Sequence, residues 1–320
     1  MKPFFFNITL VCAFIYGINV NAQDIQLATL QQGDDLQVFY GAGAFRDAHS
    51  AAATGDLITL SAGTFNETTI TKALIIQGAG YVTDVENGKY PTIISGSTIN
   101  LTDEGLIIEG IFFSGNVDNR NVLSSAIFKR CRFPGLNLLS YGGTTKNCLI
   151  EHCRFSGTIY IDNYAENLGI KNSIINVLGS NNSSATVLVE NCIVINGSPT
   201  AVYRNNIINA SLTSSSSAAY NNVFTYGNAN SVLSKDGNMT SDADSMFGYT
   251  IAYDDNKTYE LTPEALSEYI GTDGTQVGIY GGDRPFTHVP SNPQIIKKQI
   301  DGKSSPEGKL KVNITVEAQN

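Results

Sequence analysis

A phrase of four residues recurs along the middle of the chain, and it restricts the possible folds more than any other feature. Each copy has a polar residue, frequently Asn, followed by Gly, Cys, Ser or Asn and then by a mostly apolar pair. Successive copies lie 14 to 22 residues apart, which corresponds to one supersecondary unit per step. The sequence therefore predicts a solenoid. The copies begin at Glu109, Arg130, His152, Asn172, Asn191, Asn205 and Asn221.

The residues between these phrases favour strands. They are rich in β-branched residues, Asn, Gly and Ser rather than in the helix formers Ala, Leu, Glu and Lys. A leucine-rich repeat has a similar step, but it requires a dense Leu pattern that is absent here. We therefore expect an all-β fold, a parallel β-helix in which each step is one coil and the coils stack at ~4.8 Å.

Stacked coils place like residues above one another, so the phrase predicts three columns. The Asn residues at 172, 191, 205 and 221 are expected in left-handed turns, with their amides bonding the coils above and below. The Cys column and an aromatic and aliphatic column are expected to fill the interior. The members of the latter are Phe133, Phe155, Ile175, Val194, Ile208 and Phe224.

Four regions follow from composition. Residues 1–22 have a lone Lys2, an apolar run and Ala22 at the expected cleavage point, which predicts a secretory signal peptide and an exported protein: periplasmic, on the cell surface or secreted. Residues 23–240 form the predicted β-helix with an N-terminal cap, and residues 241–298 a closure with a short helix. Residues 299–320 are predicted to be a linker and a terminal strand that returns to the body or adds to a neighbour's sheet.

Two helices are expected outside the coils. An Ala-rich stretch over residues 44–53 predicts a helix that covers the first coil, because an open strand stack presents unpaired edges. Thr262 followed by Pro263 is typical of a helix N-terminus. Little other helix is expected before residue 262, and the segment from Asp242 to Asp255 is polar.

Charge and cysteine content exclude some partners. The net charge is −9, and no basic stripe with interleaved aromatic residues is present, so we expect no nucleic-acid partner. No segment after the signal peptide is long and apolar enough for a membrane span. The cysteines after residue 22 allow two alternatives, a column of buried thiols or a disulfide that joins Cys131 to Cys153 or involves Cys148.

Several stretches resemble a known family. Residues 48–65 are similar to the N-terminal cap of right-handed parallel β-helix proteins of the pectin-lyase-like superfamily, and residues 106–113 and 148–155 look like its coil phrases. The final Gly/Pro-rich segment resembles one found in exported β-helix proteins of Bacteroides-like bacteria. The cap residues that carry the resemblance are Ala48, Ala51, Ala52, Gly55, Asp56, Ile58, Leu60, Gly63 and Phe65.

The resemblance implies two enzymatic mechanisms. Lyases of the superfamily abstract a proton beside a uronate carboxylate with Lys and Arg on neighbouring coils, often with calcium, whereas its hydrolases need several converging Asp. The acidic residues of the repeats share no column, and no cofactor is expected. The only calcium candidates are the Asp242 and Asp244 pair and the Asp254 and Asp255 pair.

Basic residues are concentrated at one place, on two successive coils. Arg130, Arg132, His152 and Arg154 replace the Asn and Ile of other coils and are the candidate ligand-binding residues. Two guanidinium groups on adjacent coils could clamp a carboxylate or sulfate of a sugar chain; the alternative is a solvated flank of mixed charge.

Two functional hypotheses remain at this stage. The first is an exported, non-catalytic β-helix that binds polysaccharide or a cell-surface glycan, as an adhesin-like module does. The second is a small polysaccharide lyase or glycoside hydrolase that acts on acidic polysaccharide. The sequence favours the first hypothesis because it lacks a carboxylate constellation, and it leaves catalysis open.

Overall fold

The structure is an all-β parallel solenoid of about 9 turns, which confirms the predicted fold class. It is a computed structural model that describes residues 26–317, except for residues 87–88, 101–102, 139–143, 162–163, 181–185, 198, 301–302 and 305–307. The predicted signal peptide, residues 1–22, lies outside the described residues.

The strands are short, and three helices accompany them in the described ranges. The N-terminal elements are β1 (Leu27–Gln32), β2 (Asp35–Tyr40), α1 (Ala44–Ala51), β3 (Leu57–Leu60), β4 (Gly63–Phe65), β5 (Thr68–Ile70), β6 (Ile75–Gln77), β7 (Thr92–Ile94) and β8 (Ser97–Ile99). The next coils contain β9 (Ile107–Glu109), β10 (Phe112–Phe113), β11 (Val117–Asn119), β12 (Leu123–Ser124), β13 (Ile127–Lys129), β14 (Arg132–Phe133), β15 (Leu136–Asn137), β16 (Thr145–Lys146), β17 (Leu149–Glu151) and β18 (Arg154–Ile161).

The last coils contain β19 (Leu168–Lys171), β20 (Ile174–Ser180), β21 (Val187–Glu190), β22 (Ile193–Asn196), β23 (Val202–Arg204), β24 (Ile207–Asn209), β25 (Ala218–Tyr220), β26 (Val223–Tyr226), β27 (Ser234–Asp236) and β28 (Met239–Thr240). The C-terminal elements are α2 (Ala243–Phe247), α3 (Pro263–Glu268), β29 (Gln294–Ile300) and β30 (Val312–Glu317).

Two long sheets form the solenoid. The first sheet has 12 strands in the order β2-β1-β3-β6-β9-β13-β17-β19-β21-β23-β25-β27. The second has 14 strands: the path β28-β26-β24-β22-β20-β18-β14-β10-β7-β4, with β5, β8, β11 and β15 as a side row. Neighbouring strands within the coils are parallel, and each coil adds one strand to the first sheet and one or two strands to the second.

The register agrees with the phrase in all copies except the first. Arg132 pairs with Arg154, and Phe133 with Phe155, as predicted. Phe112, however, pairs with Arg132. The first copy is therefore shifted by one residue from the predicted alignment, because Gly110, with a φ of 69°, occupies the turn position that Arg130 takes in the next coil.

The predicted interior column is confirmed. Its six members are at most 2% exposed. At its wide end the Phe133 ring stacks on Phe113 and on Phe155, with 5.0 Å between ring centroids in both pairs. The stack continues into aliphatic residues as the coils become shorter.

The Asn residues adopt the predicted backbone but not the predicted hydrogen bonds. Asn172, Asn191, Asn205 and Asn221 have φ between 42° and 55°. The amide ladder lies one residue further along: Asn206 Nδ2 donates to Asn222 Oδ1 at 2.9 Å, and Asn222 Nδ2 to Asn238 Oδ1 at 3.0 Å. This inner position is buried, so its amides find partners only in adjacent coils.

The N-terminal end is covered by more than the predicted helix. Helix α1 buries Phe45 and Ala48 over the first coil. Strands β1 and β2, which the sequence did not predict, extend the first sheet as antiparallel strands, so β2 is the edge of that sheet.

The C-terminal closure packs along the side of the solenoid and forms a second core. The outward positions of β20, β22, β24 and β26 are apolar and are buried beneath the closure. Helix α3 begins at Pro263 with Thr262 as its N-cap, as predicted, and the Thr262 side chain accepts a hydrogen bond from Ala265 N. Helix α2 was not expected from the sequence. The stretch after Asp242 looked polar throughout, but it contains this short helix, which buries Met246 and Phe247.

Glycines bring this closure close to the turns of the solenoid. Gly278 and Gly282 have φ of 79° and 80°, and a Cβ at Gly282 would lie 2.5 Å from Asn191 Nδ2. Asn172 Nδ2 donates to the carbonyls of Ile279 and Gly281 at 2.9 and 2.8 Å. Asn172 therefore attaches the closure to the coils, and so does Asn205, whose side chain bonds Thr272.

The described cysteines agree with the buried-thiol alternative. Cys131, Cys148, Cys153 and Cys192 are free and buried. Each Sγ donates to backbone carbonyls, for example Cys131 Sγ to Lys129 O at 3.1 Å. Burial raises the pKa of Cys148 to about 11 and that of Cys192 to about 12.

We expect these thiols to resist labelling in the native protein, because only the thiolate reacts. Labelling with a thiol reagent should give no modified cysteine under native conditions and all four after denaturation without reductant. A count of two after denaturation would show a disulfide and contradict the structure.

Candidate functional site

A pocket lies where the early coils, the loop after Gly80 and the closure meet. Its volume is about 530 Å³, within the usual range for ligand sites. Two of the predicted site residues, Arg132 and Arg154, lie in its wall. The other lining residues are Tyr81, Val82, Thr83, Pro91, Ile93, Phe112, Asp255, Asn256, Lys257, Thr258, Glu260, Tyr280, Phe286 and His288.

Arg132 is the first residue of β14 and points away from the interior. Its guanidinium carbon lies 4.4 Å from the ring centroid of Phe112, on the preceding coil. Its Nη2 donates to Asp255 Oδ2 in the closure. Its Nε is buried and has no hydrogen-bond partner among the described residues. The side chain is 25% exposed, so part of the guanidinium reaches solvent.

Arg154 is the in-register neighbour of Arg132 and is more deeply buried. Its Nη1 donates to the carbonyls of Asp254 and Asp255 at 3.4 and 3.3 Å, and its Nη2 to that of Lys257 at 3.0 Å. The Phe286 ring lies 5.5 Å from its guanidinium carbon. Arg154 therefore holds the 254–257 loop against the coil, and the alternative of a solvated flank is wrong for this residue.

Tyr81 forms the pocket wall beside Arg154. Its hydroxyl is buried without a hydrogen-bond partner among the described residues. Burial raises the Tyr81 pKa, and the nearby positive charge of Arg154 acts in the opposite direction. The ring packs edge-on against His288, 6.4 Å away. Tyr81 is therefore a neutral group that can donate or accept one hydrogen bond.

Arg130 lies in the turn column, outside the pocket. Its φ is 48°, and its Nη1 donates to Glu109 Oε1 at 2.6 Å. Glu109 also accepts hydrogen bonds from Ser291 N and Oγ at 2.9 and 2.6 Å. Arg130 and Glu109 therefore form a buried ion pair that fastens the end of the closure.

His152 occupies the same turn position one coil later. Its φ is 56°, and its Nε2 lies 3.0 Å from the carbonyl of Arg284. Burial lowers the His152 pKa, which favours the neutral ring. The predicted cluster is therefore divided: Arg132 and Arg154 form the pocket wall, whereas Arg130 and His152 hold the closure.

The pocket also contains residues that sequence reasoning did not select. Phe112 belongs to the first copy of the phrase, which gives it no role, Tyr81 lies outside the phrase, and Lys257, Tyr280 and Phe286 lie in the segment predicted to be the closure. Among these residues only the aromatic ones, which stand in otherwise polar or Gly-rich stretches, give a signal in the sequence. The contacts that assemble them span more than 100 residues, as for Arg154 and Lys257.

The calcium candidates have other roles in the structure. Asp242 caps α2 by accepting a hydrogen bond from Ser245 N at 2.8 Å. Asp254 Oδ1 accepts one from Asn256 N at 2.9 Å, and Asp255 pairs with Arg132. Among the described residues no group of three or more His, Cys, Asp or Glu has a metal-binding arrangement.

We expect acid to weaken the attachment of the closure. Although burial raises the Glu109 pKa, hydrogen bonds from Ser291 and Arg130 lower it below 4.5 overall, so the stability that Glu109 contributes is lost as the pH falls through that region. The His152 pKa is below its unfolded value of 6.5, so stability also falls as the pH drops below 6.5.

Urea unfolding at about pH 7, 5.5 and 4 measures both effects. His152→Asn should reduce the loss between pH 7 and 5.5 without strain, because Asn adopts the same turn in four other coils. The loss that remains in this variant is expected from His49, whose pKa is also lowered by burial. An unchanged pH profile in that variant would contradict the assignment to His152.

The chain has no significant match to any protein-family model, curated protein or solved structure with which it was compared. No helix in the described ranges has the length and apolar character needed to cross a membrane. The structure by itself establishes a parallel β-solenoid with a pocket on its side.

Proposed function

We propose that this protein is a non-catalytic binding module of the pectin-lyase-like type that binds an acidic saccharide in the pocket around Arg132 and Arg154. One observation carries the proposal: two arginines in register on adjacent coils share one pocket with the aromatic rings of Phe112, Tyr280 and Phe286. Guanidinium groups suit carboxylate and sulfate, and apolar rings suit the faces of a sugar.

Two unpartnered groups support the same conclusion. The Arg132 Nε and the Tyr81 hydroxyl each make no hydrogen bond of standard geometry in the described part of the chain, although the Arg154 guanidinium lies near the hydroxyl, and both residues line the pocket. Such groups cost about 1 to 3 kcal/mol when buried. An oxygen of a bound saccharide would satisfy them after a small shift of the partly exposed Arg132 side chain.

Asp255 makes the proposal testable, because its carboxylate already forms an ion pair with the Arg132 guanidinium. An incoming carboxylate must compete with it, so Asp255→Asn should bind uronic-acid oligosaccharides more tightly. Arg132→Gln should bind them roughly tenfold more weakly, the effect of losing one charge-assisted hydrogen bond. Isothermal titration calorimetry measures both, with Asp236→Asn at the far end of the solenoid as the control.

Opposite changes in affinity in the two variants distinguish a binding role of the ion pair from a purely structural role. If the pair is only structural, Asp255→Asn and Arg132→Gln both lower stability and neither changes affinity. Tyr81→Phe should weaken binding without destabilising the fold, because it removes a buried hydroxyl that has no partner. Neutral oligosaccharides should not bind, and higher salt should reduce the affinity.

The exported, surface-associated or secreted location belongs to this proposal, because an extracellular glycan requires it. The same titrations should be followed for new reducing ends and for absorbance of unsaturated products. Formation of either product would contradict the proposed non-catalytic role and support the lyase or hydrolase alternative.

A further inference from the structure

We propose that the terminal hairpin, β29 and β30, binds a second copy of this chain and that the protein is a two-fold dimer with reciprocally exchanged hairpins. Among the described strands these two pair only with each other, as an antiparallel sheet of two strands. An isolated hairpin of this kind is marginally stable in water. It therefore requires a surface that covers one of its faces.

Strand β30 has an apolar face that the described residues leave exposed. Val312, Ile314 and Val316 alternate along β30 and so share one side of the strand, and Leu310, two residues before the strand begins, continues the alternation in the sequence. Their exposed fractions lie between 46% and 53%. Every side chain from Lys311 to Val316 is exposed, so neither face of β30 is covered by the solenoid of its own chain.

A second uncovered apolar surface lies on the N-terminal strands. Leu36, Val38 and Tyr40 alternate along β2 and are 42% to 68% exposed. Phe39, on the opposite side of the strand, packs against the core, so these three residues point outward. We call the surface of Leu36, Val38 and Tyr40 the β2 face.

An apolar pocket of about 460 Å³ adjoins the β2 face. Leu27 and Thr29 of β1, which are paired with Tyr40 and Val38, line it together with Tyr90. Paired residues of neighbouring strands point to the same side, so the pocket and the β2 face form one continuous outward surface.

The two surfaces match in size and in charge. Each presents three or four alternating apolar residues, which suits face-to-face packing of two sheets. Asp34 and Asp35 are exposed at the turn that begins β2, whereas Lys309 and Lys311 are exposed at the start of β30. Because carboxylates lie beside the β2 face and ammonium groups beside the apolar face of β30, contact between these two faces is favoured over contact between two β2 faces or between two hairpins.

The origin of the hairpin indicates how two copies exchange it. Asn292 and Pro293, which directly precede β29, line the same apolar pocket. Each hairpin therefore leaves its own chain beside the surface that it would cover on a partner. In a two-fold dimer both pockets lie near the axis, and one arrangement satisfies both exchanges. Two copies of the contact then act together.

The dimer is tested first by its mass in solution. Size-exclusion chromatography with light scattering on the exported form of the full chain should give the mass of two chains. Ile314→Lys and Val38→Lys should each give a monomer, because either one places a charge in the contact. Tyr160→Lys, an exposed residue on β18, is the matched control and should remain dimeric. A wild-type monomer would overturn the proposal.

Engineered cysteines show whether the hairpin covers the β2 face of a second copy or the β2 face of its own chain. The four described native thiols are buried, so Val38→Cys and Ile314→Cys introduce the reactive groups. A mixture of the two single variants should form a covalent heterodimer under mild oxidation, and neither variant alone should do so. In the double variant, a disulfide within one chain would instead show that the hairpin covers its own β2 face.

Discussion

Replacing Phe133 with alanine is expected to lower the free energy of unfolding by about 3 to 5 kcal/mol, because it leaves a cavity in a close-packed column. Phe133 is fully buried and stacks on both Phe113 and Phe155. It also meets Phe128 edge-on, with 5.9 Å between centroids. The coils above and below are each hydrogen-bonded to the coil that carries Phe133, which fixes their spacing, so the column cannot collapse to fill the space.

Equilibrium urea unfolding measures this loss, and two variants calibrate it. Tyr160→Ala changes an exposed aromatic residue on β18 and should alter stability by less than about 0.5 kcal/mol. Phe133→Leu retains most of the volume and should lie between the wild type and Phe133→Ala. Wild-type stability in Phe133→Ala would show that the register of the column is wrong.

Glu109→Ala is expected to cost about 3 kcal/mol, because it leaves the buried guanidinium of Arg130 without its partner. The side chains of Glu109 and Arg130 are only 7% and 12% exposed. The substitution also removes the acceptor of the Ser291 hydrogen bonds, so the end of the closure should become accessible to proteases. Urea unfolding and limited proteolysis follow the two consequences separately.

Glu166→Ala is the matched control. Glu166 forms an ion pair with Lys146 at 3.1 Å, but its side chain is 62% exposed, so its loss should cost less than about 1 kcal/mol. The double variant Glu109→Ala, Arg130→Asn should recover part of the lost stability, since it removes the unpaired charge and leaves Asn in a left-handed turn. Equal costs for Glu109→Ala and Glu166→Ala would refute the buried-pair assignment.

The turn column shows how far a repeat pattern can be interpreted. Its left-handed backbone was predictable, because Asn in a recurring phrase is typical of that conformation. The partners of its amides were not. Asn172 bonds the closure, more than 100 residues away, whereas Asn206 and Asn222, one residue further along, form the ladder. Whether a side chain faces a neighbouring coil or a distant segment depends on what packs outside the turn.

The candidate site was predictable to the same extent. Adjacent coils with basic residues at like positions predict that Arg132 and Arg154 lie side by side, and the strand register confirms it. Their surroundings required the tertiary structure. Asp255 and Lys257, which contact the two arginines, belong to a closure whose position along the solenoid no periodicity encodes.

The solenoid, the stacking register of most coils and the residues of the inner column can be predicted from the repeat pattern, because each depends on contacts between neighbouring coils that recur at a regular spacing. Three features become visible only in the folded molecule: the lateral packing of the closure, the separation of Arg132 and Arg154 in the pocket from Arg130 and His152 under the closure, and the antiparallel strands at the N-terminal end. These depend on single contacts between segments far apart in the chain, and a single contact leaves no periodic pattern from which it could be inferred.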